Sequence, residues 1–100
     1  MIDWERIVGF EWDEGNARKN AYEHDVSQNE AEQVFFNEPL LMVPDPRHSL
    51  GEQRIHALGR TDDGRLLHIT FTLRAEEPRI RMISARDMSR KERSYYEQEA

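Results

Sequence analysis

Between Arg54 and Ala85 the chain adopts a two-residue rhythm that few folds can accommodate. Ile55, Ala57 and Gly59 alternate with Arg54, His56, Leu58 and Arg60; Leu67, Ile69, Phe71 and Leu73 alternate with Leu66, His68, Thr70 and Thr72. Ile80, Met82 and Ser84 then alternate with Arg79, Arg81, Ile83 and Ala85. Successive strand side chains point to opposite faces of a sheet, so such alternation predicts strands with one apolar and one polar face. Thr61–Gly64, "TDDG", reads as a hairpin turn because Asp-Gly tolerates positive φ. A second tight turn is expected near Ala75–Pro78. The result is a three-stranded antiparallel meander, four-stranded if the apolar run Leu40–Val43 joins it. The polar face collects His56, Arg60, His68, Thr70, Thr72, Arg79 and Arg81, with Arg74 at a strand end beside it. That is a plausible site, and equally the pattern of an ordinary solvated sheet face.

The flanking segments read as helices. Asp13 is placed to cap a helix running to about His24, with Ala17, Ala21 and His24 on one stripe. Ser27 and Glu30 form a capping box for a second helix whose buried face is Ala31, Val34 and Phe35, and Pro39 ends it. Ser89 and Glu92 make a further capping box for a last helix, Arg90 to Glu99. Val8–Trp12 reads as a short strand or an extended anchor, and Pro44–Ser49 as a loop. The expected fold class is α+β: two N-terminal helices and a C-terminal helix on a twisted, mainly antiparallel sheet of three to four strands. No repeat or linker divides the chain, so residues 1–100 are expected to form one domain.

Charge is unevenly spread. Residues 1–50 hold four Lys or Arg against eleven Asp or Glu, a net of −7; residues 51–100 hold ten against nine, a net of +1. Twelve of the fourteen basic residues are arginine, whose planar fork suits phosphate and carboxylate. Six basic residues fall between Arg79 and Gln98, and two of them, Arg90 and Lys91, sit in the first turn of the last helix, where the helix dipole disfavours cations. That placement favours a binding use unless Asp87 and Glu92 offset it locally. No cysteine is present, which excludes disulfides, thiol nucleophiles and cysteine metal sites. With no secretory leader pattern and no membrane-length apolar run, a soluble, cytoplasmic protein without membrane attachment is the expectation.

His24, His48, His56 and His68 show no metal-ligand spacing, and there is no glycine-rich phosphate loop or Gly-x-Ser-x-Gly elbow, so neither metal nor cofactor is expected. What remains is arginine and histidine, with Tyr95 and Tyr96. These residue types fit metal-free RNA cleavage, in which the ribose 2′-hydroxyl is the nucleophile. The protein then has to supply a base, an acid and cations for the crowded phosphate. Residue types alone give a weak signal.

Three stretches, taken in order, carry a further pattern. "FEWDEGNARKNAYEHDVSQNEAEQ" carries Phe10, Trp12, Asp13, Asn20, His24, Val26, Ser27, Glu30 and Ala31. "DPRHSLGEQRIHALGRTDDGRLLHITFTLR" carries Arg47, His48, Gly51, Glu52, Arg54, Gly59, Arg60, Gly64, Arg65 and Arg74. "RIRMISARDMSRKERSYYE" carries Arg79, Arg81, Ile83, Ser84, Ala85, Arg86, Arg90, Glu92, Arg93, Tyr95 and Tyr96. Together these stretches resemble the BrnT family of small type II toxins, and the resemblance implies a RelE-like fold and a metal-independent endoribonuclease that arrests growth. It implies neutralisation by a BrnA-type ribbon-helix-helix antitoxin, with operator DNA contacted through that partner. Arg60, Arg74, Arg81 and Arg86 are the expected phosphate or transition-state contacts, and His48 and His24 the acid–base candidates. Arg79, Arg90, Lys91, Arg93 and Tyr95 are the expected RNA-binding residues.

The chain departs from the family pattern at Glu23–His24–Asp25, where Lys-His-Gly is usual, and at Asn16, where a lysine is expected. Either the substrate is met only locally, or catalysis is weakened or lost and the chain is an inactive toxin-like module that only assembles with its antitoxin.

Overall fold

The computed structural model describes residues 7, 9–48, 51–73 and 79–99. Five strands form one sheet: β1 (Gly9–Trp12), β2 (Leu41–Pro44), β3 (Gln53–Arg60), β4 (Leu66–Leu73) and β5 (Arg79–Asp87), in the order β1-β5-β4-β3-β2. Strands β2 to β5 are antiparallel neighbours, as the alternation predicts. The expected three to four strands become five because Gly9–Trp12 pairs parallel with β5, with Phe10 beside Ile80 and Trp12 beside Met82. This puts both aromatic rings on the apolar face.

Helix α1 (Glu14–His24) is capped by Asp13, whose Oδ1 accepts from the Asn16 backbone N–H at 3.1 Å. It ends at Asp25, which takes the left-handed conformation at φ 52°. The expected stripe of Ala17, Ala21 and His24 is not what α1 buries; its buried residue is Asn20. The reason is a backbone donor: Asn20 Oδ1 accepts the N–H of Ala85 in β5 at 3.2 Å. Helix α2 (Gln28–Gln33) carries the full Ser27–Glu30 capping box and runs into a 3₁₀ turn at Val34–Phe36. Ala31 and Val34 are fully buried against Ile55, Ala57, Leu67, Ile69, Phe71, Ile80, Met82 and Ala85. Helix α3 (Arg90–Glu99) lies on the opposite face, where Tyr96 and Met88 cover Leu58, Leu66 and Leu41 at one end of the sheet. Among the described residues no helix is long and apolar enough to cross a membrane.

A bulge corrects the expected phase of β5. Thr70 opposes Ser84, but Phe71 opposes Met82, so Ile83 is an extra residue in the strand. Past it every side chain changes face. Ala85, expected beside Arg79 and Arg81, is fully buried in the core, and Ser84 and Arg86 move to the polar face. The turn expected at Ala75–Pro78 and the candidate Arg74 lie outside the described residues.

Gly59 marks the closest approach of the α2 segment to the sheet. A Cβ there would stand 2.5 Å from Cγ1 of the fully buried Val34 and 3.3 Å from Leu40 Cδ1. Gly59→Ala is therefore expected to destabilise the fold by roughly 1–3 kcal/mol through overpacking. A urea unfolding midpoint equal to wild type would show that Val34 can move aside.

Candidate active site

The polar face of the sheet is built row by row from strand register. Arg81, Thr72 and Arg54 form one row, Ser84, Thr70 and His56 the next, and Arg86, His68 and Leu58 a third. His56 lies directly opposite Thr70, and His68 opposite Leu58, so the two histidines are diagonal neighbours. Their rings meet edge to face with centroids 5.1 Å apart, and His68 Nε2 is 3.1 Å from His56 Nδ1.

Carboxylates and an arginine close this pair at both ends. His56 Nε2 meets Asp45 Oδ2 at 2.9 Å, and the same oxygen holds His48 Nδ1 at 2.9 Å. Asp45 is held beside β3 because its backbone N–H donates to the Arg54 carbonyl at 2.9 Å. At the other end, Arg86 donates through Nη1 and Nη2 to both oxygens of Glu92, at 2.8 and 3.0 Å. Arg86 Nη2 also lies 2.7 Å from His68 Nδ1, and Glu92 Oε2 lies 2.7 Å from that same nitrogen. Glu92 reaches this position from the first turn of α3 because its Oε1 also accepts the Ser89 backbone N–H at 2.9 Å, half of a second capping box.

The charges set the protonation. Arg86 beside it, helped by the Ser89 N–H and His68 against the cost of burial, lowers the Glu92 carboxyl to about 2. Burial lowers the basicity of His68, and Arg86 and His56 add to this while Glu92 opposes it. Hydrogen bonds from His56 and then His48 hold Asp45 below the usual carboxylate range. His68 is thus a neutral imidazole between a guanidinium and a second imidazole near pH 7, able to accept a proton.

The candidate residues divide between several regions. Arg81 and Arg86 are on the polar face, Arg81 bonded to Glu52 at 2.8 Å and near Glu11 at 3.6 Å. His48 joins the face through Asp45. Arg60 is exposed at the end of β3, two residues past Leu58, in the region covered by Tyr96. Arg79 opens β5 and is exposed, and Arg90, Lys91, Arg93 and Tyr95 are exposed on α3. His24 lies with α1 on the other side of the sheet. Its carbonyl there accepts from Arg65 Nη2 at 3.2 Å, within a clamp in which Arg65 also binds the Asp25 carbonyl, Glu30 and Asp87. Among the described residues no group of three or more His, Asp or Glu is arranged to hold a metal ion.

Sequence reasoning set His56 and His68 on the right face without pairing them, and passed over Asp45 and Glu92. Counting outward from Thr61–Gly64 pairs Arg60 with Arg65 and misses the diagonal; the turn also takes in Arg65, so Arg60 pairs with Leu66 and the histidines become diagonal neighbours. The approach of Asp45 and Glu92 follows from no local pattern.

Glu92 makes the site sensitive to acid. Its folded-state value of about 2 lies below the ordinary 4.5, so its contribution is complete above that value and lost as pH falls toward 2. The shift corresponds to something on the order of 3 kcal/mol. Glu92→Gln is expected to lower the melting temperature at pH 7, with the gap to wild type closing as pH approaches 2. A gap that does not change with pH would show that the charge on Glu92 is not what holds α3.

The family described as the BrnT ribonuclease toxin of type II toxin–antitoxin systems matches residues 12–92. No curated protein matches the chain. The fold is similar to the crystal structure of the Brucella abortus ribonuclease toxin BrnT, with a TM-score of 0.63 at 19% identity, over 82% of this chain and 97% of that one. The family match takes in the strands, helices and side chains that build the polar-face site, and the chain belongs to the BrnT family of ribonuclease toxins of type II toxin–antitoxin systems.

Proposed function

We propose that this chain is a single-domain, RelE-like endoribonuclease that cleaves RNA without a metal or other cofactor and arrests growth by stopping translation in the cytoplasm. We further propose that it is neutralised by a BrnA-type ribbon-helix-helix antitoxin, which alone contacts the operator DNA. The observation that carries the ribonuclease reading is the contact between Arg86 and His68, 2.7 Å apart on the polar sheet face within the family-matched residues. A guanidinium beside a neutral imidazole supplies what 2′-hydroxyl attack on phosphorus needs: a fixed positive charge for the phosphate oxygens and a proton acceptor.

In this reading Arg81 and Arg86, with Arg60 and Arg74, meet the scissile and neighbouring phosphates. Of the two histidines expected for acid–base work, His48 joins this face through the Asp45 it shares with His56, whereas His24 lies with α1 on the other side of the sheet. Arg79, Arg90, Lys91, Arg93 and Tyr95 extend RNA binding along the exposed strand end and α3. When the antitoxin is bound, its carboxylates occupy the same arginines. The competing reading, an inactive binding module, draws on Glu23, which stands 4.0 Å from His24 where the family usually has a lysine.

The test is cleavage of an mRNA transcript by antitoxin-free protein, alongside growth arrest on expression. Arg86→Ala and Arg60→Ala are each expected to lose roughly two orders of magnitude in cleavage, as removal of a charge stabiliser does. Activity should persist in EDTA. Loss of all cleavage in chelator, restored by one divalent metal, would overturn the metal-free chemistry. A wild type that neither cuts RNA nor arrests growth, with both restored by Glu23→Lys, would establish the inactive module instead.

A further inference from the structure

Resting on the ribonuclease reading, we infer that His68 is the general base for the 2′-hydroxyl, masked by Arg86 until a phosphate arrives, with its tautomer set by His56 and Asp45. The assignment follows from the direction of the hydrogen bonds. Asp45 is an acceptor, so His56 Nε2 carries the hydrogen of the 2.9 Å bond between them. In this arrangement Nδ1 of His56 is the acceptor, and His68 Nε2–H meets it at 3.1 Å, with Thr70 Oγ1 3.0 Å from the same nitrogen. That leaves His68 Nδ1 without a hydrogen, and Arg86 Nη2 donates into it at 2.7 Å. Every link runs one way, from guanidinium to carboxylate.

Glu92 completes the device. Its Oε2 is 2.7 Å from His68 Nδ1, an unfavourable neighbour for a bare nitrogen and a good one for an N–H. A proton arriving on Nδ1 therefore exchanges the Arg86 contact for a bond to Glu92. The groups that face His68 from the elements around it are Arg86 on β5, His56 on β3 and Glu92 on α3, with Asp45 and His48 beyond His56. The His68 side chain is only 14% exposed, so it becomes reachable chiefly as Arg86 swings out.

An RNA phosphate that engages the Arg86 fork draws it from His68 and leaves Nδ1 bare beside the ribose. The 2′-O–H bond then breaks with its proton going to Nδ1, and the O2′–P bond forms. The P–O5′ bond breaks, and the 5′ oxygen takes a proton from water on the open face. The products are a 2′,3′-cyclic phosphate and a 5′-hydroxyl. The charge gained by His68 stays on its ring: Nδ1–H bonds to Glu92, and Nε2–H stays bonded to His56, which Asp45 orients. The Nδ1 proton then goes to water, making up the one given to the 5′ oxygen, and Arg86 closes again over His68.

The test uses the full, antitoxin-free chain and an mRNA transcript. His68→Gln should lose at least about 100-fold in kcat with KM little changed, and exogenous imidazole should restore part of the rate of His68→Ala. The acid limb of the wild-type kcat profile should lie below the ordinary histidine range and vanish in His68→Gln. His56→Gln, which preserves both hydrogen bonds without a second imidazole, should retain activity with a shifted acid limb. Nitrogen-15 NMR of the wild type, which needs no variant to fold, should find His68 as the Nε2–H tautomer. Wild type that cuts RNA while His68→Gln cuts as fast overturns this assignment and leaves the ribonuclease reading standing, and an Nδ1–H tautomer in the free protein overturns the masking. Wild type that cuts no RNA removes the ribonuclease reading and the role of His68 with it.

Discussion

One extra residue in β5 organises this molecule. Without Ile83 as a bulge, Arg86 would point into the apolar layer and Ala85 toward solvent. With it, Arg86 faces His68 across the β4–β5 ladder, while Asp87 faces the other way and meets the Arg65 clamp. The bulge is held from the helical side by Asn20, which gives the Ala85 N–H an acceptor. A buried asparagine in α1 thus stabilises the phase change on which the polar face depends, because a buried donor left unpaired would cost about 1–3 kcal/mol.

Two arginines tie the layers together, one on each side of the sheet. Arg65 joins the β3–β4 turn to the end of α1, to Glu30 and to Asp87, and its charge is held firmly by those partners. Arg86 joins β5 to the start of α3 through Glu92. Glu92 serves three groups at once: the Ser89 backbone at the helix start, the Arg86 fork and the His68 ring. It also sets a negative charge in the first turn beside Arg90 and Lys91, which offsets the misfit of those cations with the helix dipole. Local capping and site assembly are one interaction here, so α3 cannot leave without dissolving the site.

An acidic chain that meets RNA has to confine its attraction. Arg81 and Arg86 are each already bonded to carboxylates, Arg81 to Glu52 and Arg86 to Glu92. Under the ribonuclease reading a phosphate competes with groups built into the fold, and binding is local rather than driven by the field of the whole protein.

Much of the fold was legible in the residues themselves. Asp13, Ser27 and Ser89 announced the three helix starts because capping acts within three or four residues. Alternation announced β3, β4 and the first half of β5, but the register that makes His56 and His68 diagonal depends on Arg65 joining the turn, so that Arg60 pairs with Leu66. The family resemblance followed from the same stretches. What the residues could not announce was anything requiring two distant segments to meet. The parallel pairing of Gly9–Trp12 at the sheet edge, the bulge at Ile83 and the burial of Asn20 each depend on how α1 lies on β5. The convergence of Asp45, His56, His68, Arg86 and Glu92 draws on a loop, three strands and a helix start spread from residue 45 to residue 92. Residue types and local periodicity settled which groups this protein carries and which face they occupy; only the tertiary structure decided which touch, because hydrogen bonds between side chains depend on backbone paths that no local pattern encodes.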